Sequence, residues 1–138
     1  MENYLCVKFP ALPENESLAR IITSAFILKL NPTLQDSEDI KTAVSEAVTN
    51  SIIHGYSSTE DGEVELKIWI DDRKVYISVK DSGEGIEDID MARRPFYTSK
   101  PELDRSGMGF TIMESFMDEV KIDSKPLMGT IITMTKIV

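Results

Sequence analysis

Gly62-Glu63-Val64-Glu65-Leu66-Lys67-Ile68-Trp69-Ile70-Asp71-Asp72-Arg73-Lys74-Val75-Tyr76-Ile77-Ser78-Val79-Lys80 decides the architecture of this 138-residue chain. Residues 62–70 and 74–80 each alternate between apolar and polar side chains, the period of a half-buried strand. Only Asp71-Asp72-Arg73 separates them. That gap holds a turn and nothing longer, so the two strands form a hairpin. A doubly wound parallel sheet would need a crossover helix at this point. Upstream, residues 4–9 alternate in the same way and are closed by the turn-prone Pro10-Ala11-Leu12-Pro13. Residues 16–31 carry Leu18, Ile21, Ile22, Ala25 and Phe26 at helical spacing, stopped by Asn31-Pro32. Residues 36–55 read as a second helix, with Asp36 and Ser37 as caps and Ile40, Ala43, Val44, Ala47, Val48 and Ser51 along one face. Downstream, residues 107–117 form a third helix, and 119–124 and 129–138 the last two strands. About five strands and three helices, with hairpins adjacent in sequence, give an α+β fold. The expected form is a two-layer α/β sandwich whose antiparallel-rich mixed sheet is covered by helices on one face. The length suits a single domain spanning 1–138.

Composition narrows the setting. Hydrophobic residues at 41% and charged residues at 28% are ordinary for a globular chain. No apolar run is long enough for a bilayer, and Met1-Glu2-Asn3-Tyr4 lacks the basic start of a signal peptide. The single cysteine, Cys6, has no partner for an internal disulfide and reads as a small buried hydrophobe in a strand. A reduced, cytoplasmic location without membrane contact is the expectation. A net charge of −9 argues against direct nucleic-acid binding and suits a protein partner with basic faces. Any nucleotide site in such a chain must therefore supply its own local positive character.

Two short segments concentrate the chemistry. Asp81-Ser82-Gly83-Glu84-Gly85-Ile86 ends a strand, and Ser106-Gly107-Met108-Gly109-Phe110 opens the third helix; together they hold four of the seven glycines. Without a Cβ, main-chain N–H groups can approach a ligand closely, and at a helix start they face an anion. Glu46 and Asn50, four residues apart, project from one side of the second helix. The Asn50 amide oxygen is a hard ligand suited to Mg²⁺. The Glu46 carboxylate could orient a metal-bound water or take a proton from an attacking hydroxyl. Asp81, acceptor-only when ionised, could take the exocyclic amine of adenine and reject guanine's carbonyl. Each feature alone has a plain structural explanation: a solvated helix pair, an Asp-Ser-Gly turn, a glycine-started helix. Their order along the chain is what points to an ATP pocket.

That ordered set resembles the GHKL ATPase superfamily of gyrase-type topoisomerases, heat-shock chaperones and histidine kinases. Glu46-Ala47-Val48-Thr49-Asn50-Ser51-Ile52-Ile53-His54-Gly55 is similar to its N box, residues 81–86 to its first glycine box, and residues 105–110 to its second. Gly129-Thr130 resembles the trailing Gly-Thr element. Within the superfamily the chain is most similar to the small serine protein kinases that serve as anti-sigma factors in endospore-forming bacteria. The resemblance implies a Bergerat-type ATPase fold with ATP and Mg²⁺ as cofactors. It implies Asn50 on Mg²⁺, Glu46 as base or as orienter of the acceptor serine, and Asp81 with Thr130 on adenine. Gly83 and Gly85 would shape the adenine pocket, while Ser106, Gly107 and Gly109 would lie at the phosphates. Residues 87–106 would form the ATP lid, with Arg105, or more weakly Lys100, reaching the γ-phosphate. His54, the only histidine, reads as structural rather than as a phosphoacceptor.

The same resemblance implies a homodimer with two protein partners, a sporulation sigma factor and an anti-anti-sigma protein that is phosphorylated on serine. Arg20 is the partner-binding candidate, on a first-helix face with Thr23, Ser24 and an exposed Ile27 opposite the apolar stripe. Two other functions use the same residues: a nucleotide-gated binding module without chemistry, and a histidine-kinase-type catalytic domain acting on a separate phosphoacceptor.

Overall fold

The computed structural model describes residues 2–55, 62–83, 85, 89–93 and 109–138. Five strands form one sheet: β1 (Asn3–Pro10), β2 (Glu63–Asp71), β3 (Lys74–Asp81), β4 (Glu119–Lys125) and β5 (Gly129–Ile137). Their order is β1-β2-β3-β5-β4, so the last strand lies between β3 and β4. All four pairings are antiparallel, so among the described residues the sheet is antiparallel throughout rather than the antiparallel-rich mixed sheet expected from sequence. The deciding hairpin forms as read: Asp71 pairs with Lys74, and Asp72 adopts a positive φ of 54° in the turn. An aspartate tolerates that conformation better than most residues.

Helices α1 (Asn15–Ile27), α2 (Leu34–Asn50) and α4 (Gly109–Phe116) cover one face of the sheet, with a short helix α3 (Ile89–Ala92) before the last of them. Alternation in β2 and β3 turns Val64, Leu66, Ile68, Val75, Ile77 and Val79 inward, all fully buried. They meet Ile40, Ala43, Val44, Ala47 and Val48 of α2, also fully buried. The core is therefore a single layer between sheet and helices. On the uncovered face, Trp69 and Tyr76 stack with ring centroids 5.2 Å apart. Cys6 lies exposed rather than buried. Strand alternation puts it on the solvent side, because Leu5, Val7 and Phe9 take the helix side of β1.

Three helix details differ from the sequence reading. The cap of α2 is Thr33, whose hydroxyl accepts the Asp36 N–H at 3.0 Å, so the helix begins before the acids expected to cap it. Such a cap contributes about 1 kcal/mol. Beyond Asn50 the chain continues through one wide π-type turn, Ser51–Gly55.

The third difference concerns α1, which is rolled relative to its most apolar stripe. Leu18 and Ile21 are 44% and 66% exposed, while Ala19, Thr23 and Ile27 are fully buried. Small Ala19 and Thr23 let α1 approach α2 closely, and the Thr23 hydroxyl satisfies itself on the Ala19 carbonyl at 2.8 Å. Ile27, expected as an exposed interface residue, is core. What α1 shows to solvent is Leu18, Ile21 and Ala25, continued by Leu28 in the 3-10 turn just past its end, spaced i, i+3, i+7 and i+10.

Candidate functional site

Asp81 ends β3 and is 4% exposed. The β3–β5 register sets it opposite Thr130, which is equally buried. Asp81 Oδ1 accepts the Gly83 N–H at 3.0 Å, the tight Asx turn that an Asp-x-Gly sequence encodes. Burial pushes the Asp81 carboxyl above its ordinary range, and the Gly83 N–H, the Ser51 hydroxyl and the Thr130 backbone partly counter this. Thr130 Oγ1 shares a 2.7 Å hydrogen bond with Ser124 Oγ across the β4–β5 pair. A carboxylate held out of water yet left able to accept is the group a nucleobase amine can satisfy.

Two glycines enforce this corner. Gly85 has φ +76°, and a Cβ there would fall 1.9 Å from the Lys125 carbonyl oxygen. Gly129 has φ +88°, and a Cβ there would fall 2.2 Å from the Asp81 carbonyl oxygen. The loop after β3 and the β4–β5 turn thus pack backbone to backbone, which only glycine permits. Gly129→Ala is expected to destabilise the protein by about 1–3 kcal/mol and to displace Asp81. Thermal melting with nucleotide titration checks both effects.

The other half of the arrangement belongs to α2 and α4. Glu46 and Asn50 lie on successive turns of α2, both half-buried. Glu46 Oε2 is 3.4 Å from the position a Cβ on Gly109 would take, so the first residue of α4 meets the Glu46 carboxylate. That carboxylate faces the positive end of the α4 dipole. Ser51 follows Asn50 directly and faces Asp81. One helix end therefore joins Glu46, Asn50 and Ser51 to the Asp81 corner. A shallow cleft of about 600 Å³ between Arg93 and strands β4 and β5 includes none of these residues. Arg105, Ser106, Gly107 and Lys100 lie outside the described residues, and so does the side chain of His54.

The family described as "Histidine kinase-like ATPase domain" matches residues 9–136. Anti-sigma F factors from Bacillus licheniformis and Bacillus subtilis are each 53% identical over 136 residues, covering 99% of this chain and 93% of theirs. The chain belongs to the anti-sigma F factor family. Among solved structures, the RsbU and RsbW domains of a Mycobacterium tuberculosis protein superpose with a TM-score of 0.68 at 20% identity, over 97% of this chain and 31% of that one. The nucleotide-free catalytic domain of the histidine kinase ThkA gives a TM-score of 0.61 at 19% identity, over 96% and 95% of the two chains. At these identities the likeness is one of fold, the two-layer α/β sandwich expected from the sequence. No helix among the described residues is long and apolar enough to cross a membrane.

For this member of the anti-sigma F factor family, sequence alone brought forward Glu46, Asn50, Asp81, Gly83, Gly85, Gly109 and Thr130. The structure gathers all seven around the α2 end, the β3 end and the start of α4. It adds Ser124 and Ser51. Ser124 is legible only through strand register, which sets it opposite Thr130. Ser51 reads in the sequence as one more core-facing position on the α2 stripe, and its hydroxyl alone sets it apart.

Proposed function

We propose that this protein is an anti-sigma factor and a Mg·ATP-dependent serine protein kinase. It holds a sporulation sigma factor away from transcription and phosphorylates an anti-anti-sigma protein on serine. The observation that carries the reading is the buried Asp81 carboxylate, linked through the end of α2 to Glu46 at the mouth of α4. The names of the anti-sigma F factor relatives support the sigma-factor side. The RsbW-domain neighbour shares the fold.

In this reading Asp81 and Thr130 select adenine, with Gly83 and Gly85 shaping the pocket. Gly107 and Gly109, with Ser106 and Arg105, attend the phosphates. Mg²⁺ offsets negative charge on the phosphate oxygens when bound, and Asn50 would hold it. Among the described residues no group of three or more His, Cys, Asp or Glu forms a metal site. A single amide ligand completed by phosphates suits Mg²⁺. Glu46 takes the proton from the acceptor serine as its oxygen bonds to the γ-phosphorus. The bond from that phosphorus to the β,γ-bridging oxygen breaks, and ADP leaves. The protein acts as a homodimer.

Arg20 is the partner contact. Its Nε lies 2.9 Å from Glu16, which also binds Ser45 on α2, and its side chain is 44% exposed beside the Leu18–Ile21–Ala25–Leu28 stripe. An arginine beside exposed apolar residues is a composition that interfaces favour. Arg20→Ala is expected to weaken sigma-factor capture at least tenfold while leaving ATP affinity unchanged, as read by interferometry and calorimetry.

The test of the function is to incubate the purified protein with Mg·ATP and the anti-anti-sigma protein. Acid-stable phosphoserine on the latter is the expected product. Acid-labile phosphate would indicate a histidine-kinase-type reaction instead, and no phosphoprotein would indicate a nucleotide-gated binding module.

A further inference from the structure

Ser51 Oγ is buried and, among the described residues, has no hydrogen-bond partner. A buried hydroxyl left in that state costs roughly 1–3 kcal/mol. Buried helix hydroxyls usually avoid the cost by bonding back to the carbonyl four residues earlier. Thr23 does so at 2.8 Å, and so does the exposed Ser115 on the Thr111 carbonyl. Ser51 does not, although its own N–H reaches the carbonyls of Ala47 and Val48. It stands where α2 gives way to the π-type turn, a distortion frequent at functional sites.

Its surroundings say what the hydroxyl serves. Among the described residues, the groups that bear on the Asp81 carboxyl are the Gly83 N–H, the Thr130 backbone and the Ser51 hydroxyl, and none of these is charged. The Thr130 hydroxyl is already engaged with Ser124 at 2.7 Å. Ser51 therefore brings the uncommitted O–H to a group that can only accept once it is ionised. It is close enough to favour the charged carboxylate without meeting hydrogen-bond geometry.

We propose that Ser51 is a positioning residue for adenine recognition: its hydroxyl swings onto the Asp81 carboxylate when the nucleotide binds, fixing the oxygen that takes the exocyclic amine. This rests on the ATP reading above. The uncommitted hydroxyl lets the pocket hold Asp81 loosely when empty and rigidly when filled. The energy of the new bond is then realised only with a base that offers an amine.

Calorimetry with Mg·ATP on wild type, Ser51→Ala, Asp81→Asn and the double variant tests the proposal. Ser51→Ala removes a hydroxyl without a partner, so folding is retained, and a thermal melt at or above that of wild type verifies this. ATP affinity is expected to fall roughly tenfold in Ser51→Ala, and to fall no further when that change is added to Asp81→Asn. The triphosphate of purine riboside, which lacks the amine, is expected to bind wild type and Ser51→Ala alike. In the ligand-free protein, carbon-13 NMR of Asp81 should show its carboxyl titrating at higher pH in Ser51→Ala. Unchanged ATP affinity in Ser51→Ala, or an equal loss in the Asp81→Asn background, overturns the proposal. If wild type itself binds no ATP, the proposed function falls. The carboxyl titration still decides whether Ser51 acts on Asp81.

Discussion

Replacing Glu46 with alanine is expected to lower phosphoryl transfer to the anti-anti-sigma protein by about 10²–10⁴-fold while Mg·ATP still binds. The separation follows from where the two tasks lie. Asp81, Thr130 and the close-packed glycines form one end of the arrangement, built from β3, β5 and the turns beside them. Glu46 is at the other end, a full helical turn before Asn50, with its carboxylate against the first residue of α4. Truncating it removes the proposed proton acceptor and leaves the proposed base-reading groups in place. Glu46→Gln keeps the side chain's shape and its contact with α4 but cannot take a proton. It should be as inactive as the alanine variant if Glu46 is the base, and partly active if it only orients the serine. Mass spectrometry of phosphoserine, with calorimetry of nucleotide binding on the same preparations, measures both. Full transfer by Glu46→Ala would remove the residue from the mechanism.

Asp81→Asn should weaken ATP binding by about 1.5–3 kcal/mol, roughly 10- to 150-fold, and should not weaken the fold at neutral pH. Asparagine can still accept the Gly83 N–H through its amide oxygen, but it presents a donor where the adenine amine needs an acceptor. The stability argument runs through protonation. Burial raises the Asp81 pKa, so the folded state holds the proton more tightly than the unfolded chain does. The contribution from Asp81 is therefore fully present below the ordinary carboxylate range and is lost as pH rises through the raised folded-state value. At neutral pH the native protein bears the cost of burying an acid whose charged form burial disfavours, and the asparagine variant does not. The variant should melt at or above wild type at neutral pH, and its advantage should shrink as pH falls toward 4. Melting curves between pH 4 and 8 test this. A variant that is less stable at pH 7 and no weaker toward ATP would make Asp81 a structural residue.

The fold was legible because its deciding signal is local. Period-2 alternation on either side of a gap too short for a helix leaves one pairing for residues 62–80, and β2 and β3 follow it. The residues on α2 were legible for a similar reason, since a spacing of four on one long helix fixes which side chains share a side. The face that α1 turns inward could not be read this way. Apolar count favoured Leu18 and Ile21, but close approach to α2 favoured Ala19 and Thr23, and packing distance is a tertiary property absent from the periodicity. Ser124 and Ser51 escaped for the same reason. One is brought to the site by register between strands, and the other differs from its core neighbours only in a hydroxyl that nothing nearby along the chain engages. Gly85 was legible as a place where backbone can approach closely and Gly129 only as part of a Gly-Thr pair; what each accommodates, a carbonyl at a neighbouring strand end, appears only in three dimensions.

All of these roles depend on adenosine triphosphate binding at the corner where β3, β5 and the end of α2 meet. Calorimetric titration of the unmodified protein with ATP and GTP, each with and without Mg²⁺, tests that most directly. Saturable, magnesium-dependent binding of ATP, with GTP at least tenfold weaker, is the predicted result. Absence of magnesium-dependent ATP binding at millimolar nucleotide, or equal affinity for GTP, would contradict it.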